Sequence, residues 1–135
     1  MSTDFVYNNA RAAFATGALN WTTAAINAAL VNSSYGPLPT DRYLSSIPPG
    51  AMVARDAPLT GLAQTNGVCY GLIPTFNELI NASPVVALVL YVKGTLDSNS
   101  LLVYYSSGGL GFPFTPTGNN YSVTYDSANG GFFQA

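Results

Sequence analysis

The chain of 135 residues contains no histidine. This absence removes the commonest general base and the commonest transition-metal ligand, so neither a Ser-His-Asp nor a Cys-His catalytic arrangement can form within the chain. The single cysteine, Cys69, has no partner for an internal disulfide. Because Cys69 stands in a strand-like run, we expect it to be a small buried apolar residue. The sequence therefore predicts no enzyme activity, no cofactor and no metal site.

Charged side chains are scarce as well, at 7% of the residues, with a net charge of −2. An average soluble domain has about 25% charged residues. The four basic residues are scattered along the chain, at Arg11, Arg42, Arg55 and Lys93. They form no basic stripe that could neutralise phosphates, so we expect no nucleic-acid partner. A subunit packed in a large assembly needs less surface charge than a free monomer, which favours a structural role.

Acidic residues do not suggest a catalytic pair or a cation site. Asp41 stands beside Arg42 and Asp56 beside Arg55, which is typical of turns and solvated ion pairs. Residues 97–100 resemble the start of a calcium loop, but Leu101 occupies the next ligand position and no terminal Glu follows at the required spacing.

Long hydrophobic runs are also missing. The longest, at residues 84–92, is strand-sized and far shorter than the ~20 residues of a membrane-spanning helix. The first residues contain no basic region followed by an apolar block, so we expect no secretory signal and no membrane partner.

The chain does contain two runs rich in β-branched and aromatic residues, at 84–92 and 101–105, separated by a polar turn. They predict an antiparallel hairpin. The first run is apolar on both alternating faces, which predicts a central strand covered on both sides. We therefore predict that residues 1–135 form one mainly β domain. Its fold would be an antiparallel β-sandwich, jelly-roll or Ig-like, of six to seven or more strands.

The other segments predict shorter elements. An N-terminal helix within residues 1–18 would be capped by Ser2 or Thr3 and ended by Gly17; it could cover its own core or dock on a neighbouring subunit. Further strands are expected to end near residue 31 and to occupy residues 51–55, 68–76, 121–125 and 132–133. Turns are expected at residues 56–58 and 66–67, with a polar link at residues 60–64.

A long Pro-rich loop at residues 32–50 is the most informative irregular segment. Tyr43, Leu44 and Ile47 are its expected anchors, in a single helical turn. Loops of this length are usually functional or ordered by a partner, and tyrosine is enriched at interfaces. The candidate partner-contact residues are Tyr7, Arg11, Tyr35, Pro37, Arg42 and Tyr43.

Several segments together resemble a family of small virion structural proteins of tailed bacteriophages. The matching segments are Val6-Tyr7-Asn8-Asn9-Ala10-Arg11, Leu19-Asn20-Trp21, Leu30-Val31 before Tyr35 and Pro37, Ile47-Pro48-Pro49-Gly50, Leu59-Thr60-Gly61, Ala87-Leu88-Val89-Leu90-Tyr91 and Thr115-Pro116-Thr117-Gly118. Where the family has charged, Asp-rich strand edges, this chain has Ala, Ser and Asn.

The resemblance implies a non-enzymatic capsid decoration or cement protein. Its partners would be the major capsid protein and copies of itself, as a homo-trimer or homo-dimer. It would be synthesised in the bacterial host cytoplasm and would reside on the capsid surface of the virion. The alternative is a tail or adsorption component that binds another tail protein or a surface glycan.

Overall fold

The computed structural model describes residues 4–65, 68–72, 75–76, 84–107, 114–118 and 133–134. The protein is mainly β, with antiparallel sheets and one short helix. The elements in chain order are strand β1 (Asp4–Val6), helix α1 (Asn8–Thr16), and strands β2 (Ile26–Val31), β3 (Met52–Pro58), β4 (Thr60–Thr65), β5 (Val68–Leu72), β6 (Ala87–Val92), β7 (Leu102–Ser106) and β8 (Phe133–Gln134). Single turns of 3-10 helix occur at Leu44–Ser46, Pro49–Ala51 and Asp97–Asn99.

Five strands form one antiparallel sheet in the order β1-β7-β6-β2-β3, and three form a second in the order β4-β5-β8. The predicted central hairpin is confirmed, since β6 and β7 pair with Val89 opposite Tyr105 and Leu90 opposite Tyr104. β6 lies in the middle of its sheet, and its residues 87–91 are all buried. Burial of a side chain such as Leu88 or Leu90 contributes about 1.5–3 kcal/mol, so this strand anchors the core.

The N-terminal segment differs from the prediction. Residues 4–6 form β1, with Asp4 opposite Ser106 and Val6 opposite Tyr104, and α1 begins only at Asn8. The predicted caps, Ser2 and Thr3, lie outside the described residues. Pairing with a distant strand outweighs the local capping signal, because it places Val6 in the core. Helix α1 packs on β7 of its own chain.

Gly17 ends α1 as predicted. Its φ of 79° lies in the left-handed region that favours glycine, and its N–H donates to the carbonyl of Phe14. The chain reverses there and returns to the sheet at Ile26, so the strand predicted to end near residue 31 is confirmed as β2.

Two predicted connections are strands instead. Residues 56–58, predicted as a turn, continue β3, and residues 60–64, predicted as a polar link, belong to β4. Between Ala28 and Leu30 the ladder shifts its register, and β3 has an extra residue there. Asp56 lies at this bulge and has a φ of 60°. Its backbone therefore adopts a turn-like conformation, as the sequence predicted, but the residue remains within strand β3.

The remaining strands follow the predicted order in part. Strand β5 (Val68–Leu72) confirms the first part of the strand predicted at residues 68–76, and residues 73–74 lie outside the described residues. Thr65 pairs with Val68 across the predicted Asn66-Gly67 turn, and Cys69 pairs with Phe133 near the chain end, as expected. The turn itself and the strand predicted at residues 121–125 lie outside the described residues.

Candidate functional site

The 32–50 loop is fastened to the body of the protein at several points. Asn32 donates its N–H to Ala51, Leu44 donates to Ser100, and the carbonyl of Arg42 accepts from Leu102, with N–O distances of 2.8, 2.8 and 2.9 Å. The predicted anchors Leu44 and Ile47 are fully buried around a 3-10 turn, which confirms the expected helical turn. The loop is therefore a fixed part of the domain.

A chain of hydroxyl groups fastens the same loop to the N-terminal segment. The Tyr35 hydroxyl donates to Asp41 Oδ2 at 2.8 Å, and the hydroxyls of Tyr7 and Tyr35 are 2.7 Å apart. Because the single Tyr35 proton goes to Asp41, Tyr7 must donate to Tyr35. The N–H of Leu38 also donates to Asp41 Oδ2, at 3.2 Å. We call Tyr7, Tyr35 and Asp41 the hydroxyl relay.

The two tyrosines of the hydroxyl relay lie in the interior, and Asp41 is half-buried. Tyr7 is 0% exposed and Tyr35 5% exposed. Burial, and then the neighbouring Tyr35, raise the pKa of Tyr7 far above its ordinary value. Burial likewise raises the pKa of Tyr35. Both phenols therefore stay neutral over the physiological pH range.

Aromatic rings surround the hydroxyl relay. The Phe5 ring packs edge-on against Tyr7 at 5.0 Å and stacks on Tyr105 at 5.4 Å, and Tyr35 meets Tyr105 edge-on at 6.0 Å. Such aromatic contacts add to the stabilisation from buried area. They fix the two tyrosine hydroxyls in position.

Two of the six candidate contact residues are buried, and whether a partner contacts them stays a prediction. Tyr7 and Tyr35 were expected to meet a partner, but in this conformation their side chains are enclosed by their own chain. In the sequence, both tyrosines stand near polar segments, and no pattern indicates a hydrogen bond between two residues 28 positions apart. Their role in the structure is to hold the loop.

Within the loop, four residues that solvent reaches carry apolar or cationic side chains near its tip, and we call Pro37, Leu38, Arg42 and Tyr43 the loop surface. Leu38 is 57% exposed, Arg42 is exposed, and Pro37 and Tyr43 are half-buried. The Arg42 guanidinium carbon lies 5.0 Å from the centroid of the Tyr43 ring, within cation–π range. Leu38 was not predicted, although a leucine between two prolines is a detectable signal. Whether a partner binds at Pro37, Arg42 and Tyr43 stays a prediction.

A tight turn at residues 94–100 packs beside the loop. The Ser100 hydroxyl accepts from the N–H of Gly94 at 2.9 Å and donates to the carbonyl of Leu96 at 2.9 Å. A Cβ on Gly94 would collide with Asn99, including its backbone carbonyl, so the turn requires glycine there. The turn exposes Leu96, which is 64% exposed.

A network of charges joins this turn to β3. Arg55 binds Asp97 through two parallel hydrogen bonds, of 2.6 and 2.9 Å, and contacts Asp56 at 3.0 Å. Lys93 Nζ and the Tyr91 hydroxyl donate to Asp56 Oδ1 at 2.8 and 2.7 Å. We call these five residues the charge network. Sequence neighbours suggested only the pair of Arg55 and Asp56.

The charge network favours the ionised carboxylates. Partial burial raises the pKa of Asp56, but the hydrogen bonds from Lys93, Tyr91 and Arg55 outweigh it and lower the pKa to about 2. The hydrogen bond from Arg55 lowers the pKa of Asp97 as well. The side chains of Asp56 and Asp97 are 42% and 43% exposed. Solvent therefore screens their ion pairs with Arg55 and Lys93.

The sixth candidate, Arg11, is exposed on α1, apart from the loop surface in the chain. It lines a cavity of about 630 Å³ together with the segment after α1 and Gln64 of β4. Neither the residues around this cavity nor its existence was predicted, because they come together only in the fold.

Neither a reactive thiol nor a cluster of three metal-ligating side chains is present among the described residues. Cys69 is buried as predicted, and burial raises its pKa, so its thiol is not activated. Within the described ranges no three His, Cys, Asp or Glu side chains come together to hold a metal ion. No helix among those residues has the length and hydropathy needed to cross a membrane.

Comparison with known proteins adds no relative, since no family model, curated protein or solved structure matches this chain.

Proposed function

We propose that this chain is a non-enzymatic structural protein of a tailed-phage virion, a capsid decoration protein that binds across major capsid protein subunits and stabilises the head shell. The family resemblance and the low charge content support this proposal. Copies of the chain would associate as a homo-trimer or homo-dimer on the capsid surface.

The observation that carries the proposal is an exposed apolar and cationic surface that is already ordered in the free chain. The loop surface presents Leu38 and Arg42, while buried bonds hold the loop from behind. Four prolines further restrict the 32–50 loop. Because binding then requires little further ordering, more of the contact energy remains as affinity.

We also infer that the two sheets pack face to face as a β-sandwich. β6 and β2 are buried on both faces, so something must cover each face. Cys69 of the second sheet and Leu59 between the sheets belong to the same apolar cluster as β2 and β6. An experimental structure with β5 packed against one edge of the larger sheet, and no facing layer, would contradict this arrangement.

Immunogold electron microscopy of purified virions tests the location, with antibody raised against the recombinant chain. Label spread over the head is expected, and particles lacking the protein should assemble but burst at a lower temperature than complete particles. Label confined to the tail, or unchanged heat tolerance of the depleted particles, would contradict the decoration function.

Variants test the loop surface directly. Leu38→Ser and Arg42→Gln should each weaken binding of the recombinant protein to depleted heads by about tenfold or more, measured by co-sedimentation. Leu96→Ser is the matched control for Leu38→Ser, because it removes a similarly exposed leucine outside the loop. Equal binding by Arg42→Gln and the unmodified chain, or equal weakening by Leu96→Ser and Leu38→Ser, would exclude the loop surface as the contact.

The alternative is a tail or adsorption component that binds a tail protein or a surface glycan. The stacked pair of Arg42 and Tyr43 favours it, since aromatic and arginine side chains are common in such contacts. Gold label at the tail tip, together with binding to host surface glycan that Tyr43→Ala abolishes, would support this alternative.

A further inference from the structure

The cavity beside α1 is built from three parts of the chain. Arg11 and Phe14 stand three residues apart and therefore share one face of the helix. Gly17 reverses the chain, and the N–H of Leu19 then donates to the carbonyl of Ala13 at 3.1 Å, which holds the returning segment against the helix. Trp21 contributes to the apolar wall, and Gln64 of β4 lines the cavity as well.

The wall of this cavity combines one cation, two amides and apolar rings. Asn20 and Gln64 supply the amides, and Phe14, Leu19 and Trp21 supply the apolar surface. None of the described residues that line the cavity is acidic. The Asn20 Oδ1 atom already accepts from Thr22, at 3.1 Å from its N–H and 2.9 Å from its hydroxyl, so the Asn20 NH₂ group is the part left to donate to a ligand.

Arg11 differs from the basic residues of the charge network. Arg55 and Lys93 each bind aspartate, whereas no ion pair or side-chain hydrogen bond joins Arg11 to another residue in the described ranges. A guanidinium presents a planar fork of donors that matches a carboxylate. At the wall of an otherwise neutral cavity, such a fork selects for an anionic group.

We propose that this cavity binds an organic carboxylate with an apolar body. Arg11 binds the carboxylate, the amides of Asn20 and Gln64 orient it, and the body packs against Phe14 and Leu19. The volume of about 630 Å³ lies within the range of cavities that hold small ligands. A small free acid and the C-terminal carboxylate of a peptide would both present such a carboxylate on an apolar body.

Trp21 is the only tryptophan in the chain and lines the cavity, so its fluorescence reports on the site. The full-length protein is titrated with N-acetylphenylalanine, which carries a carboxylate on an aromatic body, and with N-acetylphenylalanine amide, which lacks the charge. We expect a saturable change with the acid and binding at least about tenfold weaker with the amide. An N-acetylated dipeptide ending in phenylalanine then distinguishes the two sources of the carboxylate. If the cavity takes the C-terminus of a peptide, the dipeptide should bind at least as tightly as N-acetylphenylalanine. If the cavity takes a free acid, the dipeptide should bind more weakly.

Arg11→Gln should weaken binding of the acid at least about tenfold. Arg11→Lys should have an affinity between those of Arg11→Gln and the unmodified chain, because lysine keeps the charge but lacks the planar fork of donors. Arg42→Gln is the matched control and should bind the acid as the unmodified chain does. Far-UV circular dichroism confirms that each variant is folded, and a heteronuclear NMR titration repeats the measurement independently of Trp21.

Three outcomes would overturn the proposal. Equal binding of the acid and its amide would show that the cavity recognises only the apolar body. Binding of glucuronate in place of N-acetylphenylalanine would show a sugar-acid site without an apolar requirement. Absence of binding by either readout at ligand concentrations in the high millimolar range would show that the cavity is not a carboxylate site.

Discussion

Two aspartates in this protein accept a hydrogen bond from a tyrosine, in very different surroundings. Asp41 accepts from Tyr35 at the end of the hydroxyl relay, where Tyr7 is fully enclosed. Asp56 accepts from Tyr91 in the charge network, where Lys93 and Arg55 also reach it and solvent has access. The first arrangement excludes water from its hydroxyls, and the second shares its charges with water.

The difference determines what each arrangement contributes. A buried hydroxyl without a partner loses its hydrogen bonds to water, which costs about 1–3 kcal/mol, so the enclosed Tyr7 hydroxyl depends on its acceptor Tyr35. Exposed ion pairs contribute about 0–1 kcal/mol each and weaken with salt. The hydroxyl relay should therefore determine how firmly the 32–50 loop is held, while the charge network adjusts the neighbouring turn.

The largest effect is expected from Tyr35→Phe. This change leaves the Tyr7 hydroxyl buried without an acceptor, so the free energy of unfolding should fall by about 1–3 kcal/mol. Tyr7→Phe leaves the bond from Tyr35 to Asp41 intact and should cost about 0.5–1.5 kcal/mol. Urea denaturation measures both. The double variant should cost less than the sum, because no unpaired hydroxyl remains at position 7; strict additivity would show that the two hydroxyls act independently.

Alkali should destabilise the protein through its buried tyrosines, which include Tyr91 as well as the two tyrosines of the hydroxyl relay. The folded-state pKa of Tyr7 is raised above its unfolded value, so its contribution is complete below about pH 10 and is lost as the pH rises further. Each such tyrosine should lower the free energy of unfolding by about 1.4 kcal/mol per pH unit in that range. Tyr7→Phe should reduce this slope by that amount, as measured by urea denaturation at several alkaline pH values.

Arg55→Gln serves as the control for the alkaline experiment. The guanidinium stays protonated throughout, so this variant should keep the slope of the unmodified chain. A slope that Tyr7→Phe leaves unchanged would mean that the Tyr7 phenol ionises as readily in the folded state as in the unfolded one.

The smallest effect is expected from Asp56→Asn, and acid should reveal it. The pKa of Asp56 is lowered to about 2, so its contribution is complete above about pH 4 and is lost as the pH falls toward about 2. The unmodified chain should be more stable than the variant by about 0.2–1 kcal/mol near neutrality. Thermal denaturation at low salt should show this advantage vanishing below about pH 2. In about 1 M salt it should shrink at every pH, and an advantage insensitive to salt would contradict the surface character of the charge network.

The sequence predicted those features that depend on a local pattern. The central position of β6 followed from a run that is apolar on both alternating faces, and the end of α1 followed from Gly17. Leu44 and Ile47 were predictable anchors, because apolar residues in a Pro-rich loop need burial. In each case a short stretch carries its own structural requirement.

The sequence did not predict features that depend on distant pairing. Residues 4–6 are a strand only because β7 offers them an edge. Tyr7 and Tyr35 were named as candidate partner contacts, and the sequence did not indicate their enclosure because it depends on Phe5 and Tyr105. Of the six proposed partner-contact positions, Arg11, Pro37, Arg42 and Tyr43 are at least partly exposed. Leu38 emerged only from its exposed fraction.

By itself, the sequence determined a mainly β chain with few charges, no histidine and a central strand apolar on both faces, because composition and alternation act residue by residue. The tertiary structure decided which polar groups lie inside. It placed Tyr7 beside Tyr35, brought Asp56 to Tyr91, and put Arg11 at a cavity that Gln64 also lines. These contacts join residues 28 or more positions apart, and only the packing of the sheets and the long loop brings such residues within hydrogen-bonding distance or around one cavity.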